Sequence, residues 1–387
     1  MSEQATLPPA APLEPDAGKR RFDPQGLIVS LITTIVAFLI AGLVVLATGH
    51  NPINTYRAIF NGTGLAWLIP GVGNRSNEAA NLQQTLLDTT PLILCGLAVA
   101  FAFRCGMFNI GGQGQYFAGS YAAVIIGSSW ASIPGPAHIF LCVACAALAG
   151  AVWGGIAGFL KATTGAHEVI STIMLNWIAL WVGEYFFGLQ GPFVSSGGFN
   201  PISNDIFGNV HLPVFWGSAV LQGLDIGFFI AIGALFVFWA LLNRTTLGFE
   251  VRAVGYNPEA ARYGGINVKR NYLLALAISG SFAGLAGATD VLGWEFHIAT
   301  SDILVSNVGF LGIAVALLGR NSPIGVFFAA LLFGALTVGT SSRQLDPSVF
   351  DPQLAGNLTL IIQGLVVLFV GADLLVLSVW KRIRRAR

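Results

Sequence analysis

The stretch NRTTLGFEVRAVGYNPEAARYGGINVKRN, Asn243 to Asn271, decides how the chain is read. It is polar, carries charges of both signs, and is flanked by apolar runs at 223–242 and 272–292. Inside it lies a short helix with its own start and stop signals. Asn257 is a good N-cap, because its side-chain oxygen can accept from the first free N–H groups. Pro258 fits the first helical position, and Glu259 sits at the positive end of the helix dipole. Gly264 and Gly265 supply the stop. The spacing therefore predicts a short helix from Pro258 to Tyr263, outside the apolar runs. Such a helix is marginal alone and needs a surface to pack against.

The flanking runs are two of a series. Others lie at 27–47, 85–103, 110–127, 138–160, 168–189, 303–319, 322–340 and 355–379. Each is near the ~20 residues that a helix needs to cross a bilayer core, which gives about ten spans. Backbone groups in lipid must be paired within the segment, so helices are the form these runs take. Composition agrees: 55% hydrophobic residues, 10% charged and 48 glycines, with a mean hydropathy of +0.73. The expected fold is an all-α integral membrane protein. The third, eighth and ninth runs are interrupted or bounded by Gly, and Gly111, Gly112 and Gly114 mark a broken or re-entrant helix as an alternative to a clean span. Residues 1–24, with Pro8, Pro9, Pro12 and Pro15, read as a disordered tail. The run after Lys19, Arg20 and Arg21 is too long for the apolar part of a secretory leader and suits a span. This leaves a transmembrane domain over 25–380 and a basic tail over 381–387.

Charge fixes the expected orientation. With the N-terminus inside, cytoplasmic segments hold sixteen of the 19 Lys and Arg residues, and external segments hold only Arg57, Arg75 and Arg343. That asymmetry predicts an even number of spans and two cytoplasmic termini. The external segments 190–222 and 294–307 read either as solvated connectors or as surfaces for a partner.

Several chemistries are excluded or weakened. Cys142 and Cys145 form a CxxC, but within an apolar run and with no His cluster nearby, so they read as packing residues rather than a redox or metal pair. The chain lacks GxxxxGK[ST], HExxH and GxSxG, so any ATP chemistry must come from another chain. The five His, at 50, 138, 167, 211 and 297, are scattered, which argues against an enzyme. No catalytic residue, metal site or cofactor is expected. An ion-coupled transporter calls for intramembrane carboxylates. Asp88 and Asp290 fall near span ends, and Glu184 is the best internal candidate. A channel leaves the capped helix at 258–263 without a purpose. The net charge of +1 points to no nucleic-acid partner.

A resemblance sharpens the reading. GYNPEAARYGGI resembles the coupling-helix loop of ABC importer permeases, with Glu259, Ala260 and Ala261 similar to their EAA motif, although the spacing to the following Gly is shorter than in the maltose type. FRCGMFNIGGQGQYFAG (Phe103 to Gly119), HEVISTIMLNWIA (His167 to Ala179) and GIAVALLGRNSPIG (Gly312 to Gly325) are similar to the nucleoside-importer permeases, within the wider family serving branched-chain amino acids and simple sugars. The likeness runs from roughly Leu82 to Gly371. It departs at Gln113, where members usually carry an acidic residue, and at His167, where Asn is frequent.

The resemblance implies a permease of the type II importer fold, with spans 2–5 and 7–10 related as inverted pseudo-repeats. It implies an ABC ATPase subunit as partner, a second permease subunit in a heterodimer, a nucleoside-type solute-binding protein, and an inner-membrane location among membrane lipid. Pro258, Glu259, Ala260, Ala261, Arg262, Tyr263 and Gly265 would couple to the ATPase. Spans 3 and 5 hold Asn109, Gln113, Gln115, Glu168, Asn176 and Glu184, and polar groups in hydrocarbon normally face the bundle interior or a wet cavity. Phe108, Asn109, Gln113, Gln115, Asn176, Trp177 and Phe310 are the candidate pathway residues: amides to bond a base or ribose, rings to stack or wall the route. The competing reading of each amide is a bond from helix to helix. A simple-sugar permease is the alternative substrate class.

Overall fold

The computed structural model describes residues 24–341 apart from 48, 72–73, 196–199 and 219–222, together with 357, 359–365 and 368. Both predicted tails and most of the run at 355–379 lie outside the described residues. Helices dominate: α1 (Pro24–Ala47), α2 (Pro52–Gly62), α3 (Arg75–Arg104), α4 (Gly112–Gly127), α5 (Gly135–Thr164), α6 (Glu168–Phe187), α7 (Gly227–Arg244), α8 (Thr246–Tyr256), α9 (Pro258–Tyr263), α10 (Val268–Asp290), α11 (Thr300–Val305), α12 (Val308–Leu318) and α13 (Pro323–Gly339). One small hairpin pairs β1 (Val214–Trp216) antiparallel with β2 (Leu224–Asp225).

Among the described residues, six helices are long and apolar enough to cross a membrane: α3, α5, α6, α7, α10 with its π-turn to Glu295, and α11 with α12. α1 and α2 form a further pair bent by 118°. The chain is therefore a multi-pass, helical membrane protein. Two of the other predicted spans are shorter than their apolar runs suggest. α13 has 17 residues and α4 has 16. α4 is short because its run opens with Gly111 and Gly112, and the chain from Met107 to Ile110 enters without helical structure. Its backbone and side chains there are largely buried in protein, which is where irregular backbone is tolerated at membrane depth.

α10 is the central helix, packed on α3, α4 and α5. Its seam with α5 is made of small residues. A Cβ on Gly150 would collide with the carbonyl of Gly280, and one on Gly280 with that of Gly150. Bare glycine faces let the two backbones touch, the usual way to bind helices where lipid removes the hydrophobic drive between them. α3 is almost wholly buried from Leu92 to Ala102. α5, α6 and α7 carry the outward faces, with Phe140, Leu148, Trp181, Tyr185, Phe229 and Phe236 exposed.

Successive passes alternate in direction between two ends. At one end lie α8 and α9, the turn after α3 and the turn after α12. There Gly255 packs on the carbonyl of Arg104, and the Arg104 guanidinium donates to the Asn321 carbonyl at 2.7 Å. At the other end the described parts of the segment 190–222, expected to be loop, form a packed cap together with residues 223–226. Its His211 ring stacks on Phe296 at 3.9 Å, Trp216 meets Trp67 at 5.1 Å, and Asp205 pairs with His297 at 3.2 Å. All four cysteines are free thiols.

Candidate functional site

At the α8–α9 end, the helix α9 has the bounds its caps predict. The Asn257 side chain accepts from the N–H groups of Glu259 (2.9 Å) and Ala260 (3.0 Å). Gly264 N–H bonds the Ala260 carbonyl, Ile266 N–H bonds that of Ala261, and Gly265 takes φ +84°, closing the helix. Ala261 turns inward, whereas Glu259, Ala260 and Arg262 face out and Tyr263 is 97% exposed. The same stretch contains a second helix that its sequence did not announce, α8, capped by Thr245 Oγ1 accepting from Gly248 N–H at 3.0 Å. α8 buries Gly248, Val251 and Val254 and leaves Phe249 and Tyr256 outside, the latter 90% exposed. The segment is fastened to α10 by Asn271, which donates to Glu250 Oε2 at 2.9 Å. The result is a hydrogen-bonded shelf with two bare tyrosines and a charged rim.

The second feature lies inside the bundle, where α3, α4, α6, α10 and α12 converge. Asn109 and Gln113, four apart in sequence, do not share a helix face, because Asn109 belongs to the non-helical lead-in. From there its amide donates to Gln115 Oε1 (2.8 Å) and Ser279 Oγ (2.7 Å), while its oxygen accepts from Gly111 N–H (2.9 Å) and Gln115 Nε2 (3.1 Å). Ser279 in turn donates to the Ala98 carbonyl at 2.5 Å, which ties α10 to α3.

Two helix starts at this junction are capped from a distance. A helix leaves its first N–H groups without an intrahelical acceptor. For α4, Gly114 N–H is taken by Asn176 Oδ1 of α6 at 2.8 Å, and the Asn176 amide donates to the Ile110 carbonyl at 2.9 Å. For α12, Gly309 N–H is taken by Gln113 Oε1 of α4 at 2.8 Å, and Gln113 Nε2 donates to Ser306 Oγ at 3.2 Å. The two starts meet head to head: a Cβ on Gly309 would collide with the backbone of Gln113. Asn109, Gln113, Gln115 and Asn176 are all buried, and hydrogen bonds occupy each amide. The candidate aromatics lie elsewhere. Trp177 and Phe310, the immediate neighbours of Asn176 and Gly309, are 57% and 45% exposed on the bundle surface. Phe108 is half-buried and stacked on Phe103 at 5.1 Å. Glu168 pairs with Lys161 at 2.8 Å across the α5–α6 turn.

Residues 81–371 match the family described as branched-chain amino acid transport system / permease component. The chain belongs to that permease family. Among the proteins it resembles are the guanosine ABC transporter permease protein NupP of Bacillus subtilis, 36% identical over 93% of this chain and 97% of the relative. The nucleoside ABC transporter permease protein NupB of Lactococcus lactis is 34% identical over 90% and 92%, and the glucose ABC transporter permease protein TsgB13 of Haloferax volcanii is 31% identical over 88% and 86%. The chain is thus a transporter component and not an enzyme.

The matched region of the permease begins within α3 and contains both the junction and the shelf. Ser279, Ser306 and Gly309 were missed as members of the junction. Ser279 and Ser306 are ordinary small residues in apolar surroundings, and a glycine lends its backbone without any side-chain signal. Near the cap end, the permease also buries Asp225 ahead of α7. Burial pushes this carboxyl up to about 6, opposed by the hydrogen bond it accepts from Gly227 N–H at 2.6 Å.

Proposed function

We infer that the chain is the membrane-spanning permease subunit of an ABC importer that takes up nucleosides, with ATP hydrolysed by a partner subunit. The observation that carries the reading is full-length similarity to permeases named for guanosine and nucleosides, at 36% and 34% identity. The glucose permease at 31% keeps simple sugars as the rival substrate class. About ten spans of the type II importer kind, in the inner membrane with both termini cytoplasmic, fit the sixteen-to-three charge split. Inverted repeats fit the opposed directions of α3 and α10, and the matching interruptions before α4 and α12.

On this reading the α8–α9 shelf faces the cytosol. Pro258, Glu259, Ala260, Ala261, Arg262, Tyr263 and Gly265 form the coupling element, and the ATPase supplies the surface that so short a helix needs. ATP-driven closure of the ATPase pair pushes α9, and the push reaches the bundle through α8, Asn271 and the turn after α3. A solute-binding protein delivers its cargo to the cap formed by the described parts of 190–226 and by 296–300. A second, different permease completes the route. Trp177, Phe310 and Phe108 wall that route, and Asn109, Gln113, Gln115 and Asn176 hold its frame in register.

The test is uptake by cells lacking this chain. Loss of radiolabelled guanosine or uridine uptake is expected. Loss of ribose uptake with nucleoside uptake intact would replace the substrate and keep the permease. Topology is tested separately by cysteine labelling in intact cells, with a reagent that does not cross membranes. Arg343→Cys should react and Arg384→Cys should not.

A further inference from the structure

The break between α11 and α12 places a free amide where lipid would not tolerate one. Ser306 is extended (φ −63°, ψ 133°), and α12 starts afresh at Val308. α12 has 11 residues, so its first turn lies ~17 Å above its end at Leu318. That is about half the ~30 Å hydrocarbon thickness. Asn307 sits in this break, exposed, and its side chain makes no hydrogen bond to the other described residues. Leu304, Val305 and Phe310 are exposed around it, with Ser301 and Asp302 nearer the cap. The outward face of α7 is different in kind, being Phe229, Ile232, Phe236, Val237 and Trp239 without a polar group among them. Interrupted backbone at mid-depth occurs only within protein or along a water-filled cavity. α7 shows a lipid face, and the α11–α12 break does not.

The junction gives this face a direction. Gln113 holds Gly309 and Asn176 holds Gly114, so Phe310 and Trp177, the residues next in sequence, are tied through the backbone to the first turn of α4. Both rings point out of the bundle, toward whatever closes the route. We propose that Asn307 and Phe310 form the solute-reading contact of the route at mid-membrane, the amide bonding the edge of a nucleobase and the ring lying on its face. This rests on the nucleoside reading above. The second permease subunit supplies the opposite wall. An amide offers both a donor and an acceptor, so it bonds either a purine or a pyrimidine edge, but not equally, because the two edges present different donor and acceptor patterns. A single such contact is weak enough for the solute to leave again, as conduction requires.

The experiment uses the whole transporter, with ATPase, second permease and solute-binding protein, in proteoliposomes. Asn307→Cys is expected to react with a charged, water-borne thiol reagent and to be protected by guanosine, above the background of the four native thiols. Phe236→Cys, on the lipid face, should stay unreactive. Asn307→Ala should lower saturated guanosine transport about five-fold, the size of one lost hydrogen bond. It should also change the guanosine-to-uridine rate ratio, which a merely structural defect leaves alone. Phe310→Leu should lower both rates, and Phe310→Tyr should restore them. If Asn307→Cys is as inert as Phe236→Cys, or if Asn307→Ala keeps both rate and ratio, the proposal is overturned. Failure of the nucleoside reading looks different: the unaltered transporter would carry no nucleoside at all, while the labelling contrast would still hold.

Discussion

Asn257 and Asn176 do the same chemical work over very different reaches. Each offers a side-chain oxygen to the first N–H groups of a helix. Asn257 serves Glu259 and Ala260, two and three residues on, at the surface. Asn176 serves Gly114, 62 residues back, in the buried centre. Gln113 repeats the long-range version for Gly309. The surface cap has water as a substitute, and the buried caps have none. An N–H deprived of its partner inside the bundle costs its full desolvation, whereas one at the surface is rehydrated. The comparison predicts that loss of a distant cap is the more damaging.

The largest effect is therefore expected at the junction. Gln113→Leu and Asn176→Leu should each leave buried groups unpaired, at about 1–3 kcal/mol per group. Asn176→Leu strips Gly114 N–H and the Ile110 carbonyl together. Folded permease recovered in detergent should fall sharply for both. Gln113→Glu keeps an acceptor for Gly309 and should be recovered well. Equal recovery of Gln113→Leu and Gln113→Glu would break the comparison.

Asp225 is an intermediate case, a local cap that is also buried. Its carboxyl, raised to about 6, binds a proton more readily in the folded chain than in the unfolded one. Its contribution to stability is thus fully present below the ordinary carboxylate range and is lost as pH rises through 6. At pH 7.5 the buried charge is held only by its hydrogen bonds. Asp225→Asn keeps the acceptor for Gly227 N–H and removes the charge. It should steady the β1–β2 hairpin by about 1–3 kcal/mol at pH 7.5 and make little difference at pH 4. Hydrogen exchange at the two pH values, corrected for intrinsic rates, checks this. A variant that exchanges faster at pH 7.5 would show that the charge stabilises the hairpin.

How much was legible beforehand follows from the same contrast. The α9 bounds were readable because Asn257, Pro258, Glu259, Gly264 and Gly265 act within a single turn. The apolar runs likewise announced α3, α5, α6, α7 and α10. α8 was missed because its face is mixed and its cap, Thr245, lies in an unremarkable NRTT string. The junction residues Asn109, Gln113, Gln115 and Asn176 stood out as polar groups in apolar runs, but their partners were invisible. No local rule pairs residue 113 with 309. Asn307 was missed for a related reason: its meaning depends on a break in a helix that looks continuous by hydropathy.

At the surface the expected effects are smaller. Asn257→Ala should cost α9 about 0.5–2 kcal/mol, because both capped N–H groups then turn to water. The bundle should still be recovered in full, with solute-stimulated ATP hydrolysis reduced.

Glu259→Lys is the smallest structural change and the most telling for coupling. It places a positive charge at the positive end of a six-residue helix, a local cost of about 0.3–1 kcal/mol. Neither the Asn257 cap nor the buried Ala261 is touched, so α9 should keep its bounds. Nothing inside the bundle senses the change, because Glu259 is exposed and makes no ion pair among the described residues. Any large effect must therefore arise at a surface that α9 meets. With the ATPase as that surface, transport and solute-stimulated ATP hydrolysis should fall together, while membrane insertion and detergent recovery match the unaltered chain. Ala261→Gly separates the two contributions, since it weakens the helix by roughly 1 kcal/mol without altering charge. A loss with Glu259→Lys but not with Ala261→Gly assigns the contact to charge, and the reverse assigns it to helix rigidity. Unaltered coupling in both variants, with complexes fully assembled, would show that force enters the bundle elsewhere than through α9.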